Sequence, residues 1–112
     1  MEYLEPTMKL VSKGKNKIAL RNFDMIFENF PNDANAEFYS GLCNFYLERF
    51  DDAIAHFDAV KDNTINTFHE EADWHRLLCY KATEQKALFN MLRDNIIEQG
   101  GFYSERAVEM NF

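Results

Sequence analysis

The stretch "HEEADWH", residues 69 to 75, holds the densest group of side chains able to bind a metal or move protons. His69 and Asp73 are four residues apart, as are Glu71 and His75. On a helix each pair shares a face, and zinc accepts imidazole and carboxylate together. Two ligands do not complete a site, however, and the spacing is not the His-Glu-x-x-His of a metalloprotease. The other reading is an acid-rich helix start, whose carboxylates offset the positive end of the helix dipole. A metal-dependent enzyme built on this stretch is the weakest of three functional expectations.

Cys43 and Cys79 are the only cysteines. Read as a disulfide, a metal pair or a redox couple, they would need to meet. Read as small core residues in a reducing compartment, they need only be buried, and this is the expected role. There is no Gly-x-Ser-x-Gly elbow, glycine-rich phosphate loop or Cys-x-x-Cys. Asp51 and Asp52 are ordinary residues for a helix start. No nucleophile stands near a base, so no catalytic residue, cofactor or metal is expected.

The elements behind these residues emerge from a repeat. Ala19 and Phe23 in "NKIALRNF" recur as Ala53 and Phe57 in "FDDAIAHF", 34 residues later. Small and large residues at i and i+4 lie one turn apart, so the Ala admits a neighbouring helix while the Phe fills the space beside it. A period near 34 is that of a helix-turn-helix unit. Pro31 in "ENFPND" closes one unit, since proline cannot continue a helix, and Gly41 stands twelve residues before Ala53. The segment "EEADWHRLLCYKATEQKALFNML" aligns with the second unit at a spacing of 36, pairing Phe38 with Trp74, Leu42 with Leu78 and Cys43 with Cys79. The extra length implies a longer loop at residues 62 to 68.

On these residues the chain resembles the tetratricopeptide repeat family over nearly its whole length, and its "EADW" followed by "GGFYSERA" is similar to bacterial members that end in a short capping helix. It departs from the family at Ser40 and Asn44, where leucine and tyrosine are favoured, and at Leu77, which replaces the small residue matched by Gly41. If Ala87 matches Ala53, the turn near Thr83 is about two residues short. The resemblance implies an all-α domain: an α-solenoid of three helix-turn-helix repeats, at about 1–32, 33–66 and 67–99, with a C-terminal capping helix at about 104–110. It also implies peptide or protein binding on a concave face and no catalysis. The family's groove positions fall on Leu4, Met8, Val11 and Ser12, then Asn35, Phe38, Leu42, Phe45 and Tyr46, then Trp74, Leu78, Lys81 and Ala82. Phe38 and Trp74 are expected to be core. The partner-binding set is therefore Met8, Ser12, Asn35, Leu42, Phe45, Tyr46, Leu78 and Lys81. A clamp for chaperone carboxylates needs Lys and Asn along the groove, but Leu4 and Met8 stand at the first-repeat places.

Helices are expected at about 2 to 12, 16 to 30, 33 to 48, 51 to 62, 68 to 82, 85 to 98 and 104 to 110. Thr67 with Glu70 forms a capping box, Asn32 or Asp33 caps the helix after Pro31, Gly100 and Gly101 stop the penultimate helix, and Ser104 caps the last.

Composition bounds the rest. The 112 residues suit one domain, and 46% hydrophobic content with 11 Phe supplies one core, while 4 Gly and 2 Pro argue against disorder and a turn-rich β fold. Net charge is -7, which disfavours nucleic acid as a partner. Residues 1 to 21 carry five basic and two acidic side chains, a balance of +3, whereas residues 22 to 73 carry two basic and twelve acidic, a balance of -10. The acidic middle would favour a basic protein or peptide partner; it also reads simply as solubilising charge on exposed helix faces. No apolar run reaches membrane-span length, so direct membrane insertion is not expected, and the cytoplasm is the expected compartment. An anchor or signal in a longer parent protein stays open. The alternative to a binding module is a structural or self-associating domain, a homo-oligomer or part of a larger bacterial protein.

Overall fold

The computed structural model describes residues 13–31, 33–62 and 68–112. The described residues form six helices: α1 (Asn16–Asn29), α2 (Ala34–Tyr46), α3 (Phe50–Asp62), α4 (His69–Ala82), α5 (Lys86–Gln99) and α6 (Ser104–Glu109). There is no strand among them. All six lie within a residue or two of the helices expected from periodicity and caps. The first expected helix, residues 2 to 12, and the loop at 63–67 lie outside the described residues.

Each helix packs against the next, and α2 also touches α4 across α3. Burial follows the alanine and phenylalanine pairs. Ala19, Phe23, Ala53 and Phe57 are all fully buried. Ala19 and Phe23 join Ala36 and Cys43 between α1 and α2. Ala53 and Phe57 join Phe38, Val60, Ala72 and Cys79 between α2, α3 and α4. A third cluster, Leu77, Tyr80, Phe89, Leu92, Ile96, Tyr103 and Ala107, unites α4, α5 and α6. Gly41 is small for a reason visible in its surroundings: a Cβ built there would stand 2.5 Å from the Phe57 ring. The bare backbone is what lets α2 and α3 close on that ring.

The turns after α2 and α4 are alike. Glu48 and Glu84 have φ of 59° and 57°, the left-handed conformation that ends helices, and Gly14, ahead of α1, has φ of 76°. After α2, Arg49 N donates to Asn44 O at 2.8 Å; after α4, Gln85 N donates to Tyr80 O at 2.9 Å, the same six-residue closure. Glu48 and Glu84 are 36 apart, so the turn near Thr83 is not shortened. The register tried with Ala87 in the place of Ala53 is thereby corrected: Ala87 is exposed, and Phe89, 36 residues after Ala53, is buried.

Among the caps, Asp33 Oδ1 accepts from Ala36 N at 3.0 Å, and Gly100 ends α5 at φ 65°. Thr67 lies outside the described residues, and the residue before α4, Phe68, makes no side-chain cap. Ser104 does not cap α6. It has already entered the helix, its N and Oγ both donating to Gly101 O at 3.1 and 2.9 Å.

Candidate functional site

The "HEEADWH" side chains are committed elsewhere. His75 lies between α2 and α3, its ring 5.4 Å from Phe45, 5.8 Å from Phe57 and 6.3 Å from Phe38. Its Nδ1 donates to the Glu71 carbonyl at 2.7 Å, one helical turn back. Burial among these rings holds its pKa below the ordinary histidine value, against the carbonyl and carboxylate of Glu71, which pull it up. Glu71 is turned the other way, accepting from the Tyr103 hydroxyl. Burial, followed by that bond, pushes the Tyr103 phenol up to about 12. Asp73 accepts from Arg76 Nη2 at 3.1 Å, while Arg76 Nη1 reaches Asp58 on α3 at 2.9 Å. No group of three His, Cys, Asp or Glu able to hold a metal occurs among the described residues.

Cys43 and Cys79 are fully buried, free thiols in different clusters, one between α1 and α2, the other under α3 and α4. Burial pushes both up to about 12. A thiol held protonated in this way is a poor nucleophile and a poor ligand at neutral pH.

The stripe on α2 is different, because part of it reaches water. Asn35, Leu42 and Tyr46 follow each other at seven and four residues, one face of the helix. Asn35 and Leu42 are half-buried, and Leu42 packs on the cluster around Phe57. Phe45 is half-buried too, edge-on to Tyr46, Phe50 and His75. Tyr46 is 57% exposed. On α4, Leu78 is half-buried and Lys81 exposed. The Phe45–His75 contact ties the two stripes together. Met8 and Ser12 lie outside the described residues. Phe38, expected to be core, is buried; Trp74 is half-buried and stacks on Tyr103 at 4.9 Å.

A cleft elsewhere was not anticipated. Between α1 and α3 lies an open cleft of about 420 Å³, lined by Lys17, Leu20, Arg21, Asp24, Asn44, Arg49, Asp52, Ala55 and His56. Its rim includes His56, whose Nδ1 donates to Glu37 on α2 at 2.7 Å and whose ring stacks with Phe27 of α1 at 6.1 Å. Asn44 is almost fully buried, Nδ2 donating to Ser40 O at 2.9 Å. The signal in the sequence was Arg49, one of two basic residues in the acidic stretch 22 to 73. Nothing in its spacing tells that it meets Lys17 and Arg21.

Compared with known proteins, the chain matches no family model, no curated protein and no solved structure. Among the described residues no helix is long and apolar enough to cross a membrane.

Proposed function

We propose that the chain is a tetratricopeptide-like solenoid of three repeats with α6 as its cap, and that it is a protein-interaction module. The observation that supports this best is the recurring left-handed backbone at Gly14, Glu48 and Glu84, at spacings of 34 and 36, each five residues before a buried residue of the helix that follows, Ala19, Ala53 and Phe89. A stack of this kind offers one helix of each pair to a shared face, here α2 and α4, along which a peptide can bury apolar side chains. Tyr46 is the anchor of that face, aromatic and half in water beside Phe45. The ligand is a protein segment carrying Lys or Arg, favoured by the acidity of residues 22 to 73. No catalytic step, cofactor or metal belongs to this reading, and cytoplasmic residence suits the two buried thiols.

The test is selection from a displayed peptide library against wild type, Tyr46→Ala and Lys81→Glu, each checked for retained helicity by circular dichroism. Loss of the aromatic anchor should weaken selected peptides about thirtyfold, about 2 kcal/mol. Lys81→Glu should shift selection further toward basic peptides. Identical peptides and affinities for all three proteins would reject the α2 and α4 face. Self-association is the second reading, and a solution mass that rises with concentration and falls in Tyr46→Ala would favour it.

A further inference from the structure

The cleft between α1 and α3 lies between helices other than the pair that carries the proposed peptide face, and its chemistry is different. Lys17 and Arg21 stand one turn apart on α1, and Arg49 immediately precedes α3. None of the three makes an ion pair among the described residues, although Asp24 and Asp52 line the same space. A protein of net charge -7 thus gathers three of its 12 basic side chains around one concavity, where they outnumber the two carboxylates by one. The nearly buried Asn44 also lines it, its Nδ2 donating to Ser40 O. At about 420 Å³ the cleft is of small-molecule size.

We propose that this cleft binds a small phosphate monoester carrying hydroxyl groups. Two guanidinium forks and an ammonium match the several oxygens of a phosphate, and arginine is the side chain best shaped for it. A second phosphate would meet Asp24 and Asp52, which repel anions but accept hydrogen bonds from hydroxyl groups. The mixed lining therefore suits a ligand with one phosphate and several hydroxyl groups, and opposes polyphosphates.

Titration of the full chain with inorganic phosphate and with glycerol phosphate, at constant ionic strength, by calorimetry and amide NMR, tests this. Saturable one-site binding is expected, with shifts concentrated at residues 17–24 and 49–56 and glycerol phosphate bound more tightly. Arg21→Gln and Arg49→Gln should each weaken both probes at least tenfold, while Arg106→Gln, an exposed arginine on α6, should not. Asp24→Asn with Asp52→Asn should reduce the preference for glycerol phosphate. Absence of saturable binding, or affinities unchanged in the Arg21 and Arg49 variants, overturns the site. Equal affinity for the two probes overturns the ligand class. Because these residues are not on the α2 and α4 stripe, peptide selection is read independently.

Discussion

The hairpin α2–α3 and the hairpin α4–α5 share a turn but not a packing scheme. In the first, Gly41 yields to the buried ring of Phe57, and Ala53 keeps the helices close. In the second, 36 residues on, both small positions are filled by large residues: Leu77 stands for Gly41 and Phe89 for Ala53, while Arg93 stands for Phe57. Leu77 and Phe89 are buried. Arg93 could not be accommodated in the place of Phe57 against a buried leucine; it turns outward, Nε and Nη2 donating to Ala107 O and Val108 O at 2.9 Å, where it holds the end of α6. One backbone plan therefore accepts two distributions of volume: a glycine and an alanine around one buried ring in α2–α3, a buried leucine and phenylalanine with the third side chain turned out in α4–α5. Turned outward, Arg93 instead ties α5 to the last turn of α6 through those two carbonyls.

Breaking the second scheme should cost most. Phe89→Ala removes a fully enclosed ring from the cluster shared by α4, α5 and α6, and about 3 to 5 kcal/mol of stability should be lost by urea denaturation. A loss under about 1 kcal/mol would mean that α5 does not depend on Phe89 as α3 depends on Phe57.

Transplanting one scheme into the other is the sharper test. Gly41→Leu puts a side chain where even a Cβ meets the Phe57 ring at 2.5 Å, so about 2 to 3 kcal/mol should be lost. Adding Phe57→Ala should recover part of that loss in a double-mutant cycle, since the two changes share one space. Additive losses would show that the glycine and the ring are not complementary.

The smallest effect concerns what the hairpins share. Glu48 and Glu84 occupy left-handed backbone that glycine adopts without a Cβ penalty. Glu48→Gly and Glu84→Gly should each stabilise the chain, by up to about 1 kcal/mol, and by similar amounts. A loss at one turn and a gain at the other would separate the two turns energetically.

The helices, their ends and the burial of Ala19, Phe23, Ala53 and Phe57 were legible in the sequence, because periodicity and turn chemistry act over a few residues and leave a linear trace. So did Asp33 at its cap and Gly100 at its stop. The third register was not legible, since Ala87 offers the same residue type as Ala53 while the buried place is held by the much larger Phe89. Only the tertiary structure decided which polar groups would be consumed by packing. His75 vanished among phenylalanines, Glu71 turned to Tyr103 and Asp73 to Arg76, each through a partner on another helix or a turn away. The cleft was likewise invisible, because Lys17 and Arg49 are 32 residues apart in the chain and line one surface only through the packing of both α1 and α3 on α2. Local spacing determines which faces a helix has; which faces meet depends on volumes summed across the core, and no single stretch of sequence contains that sum.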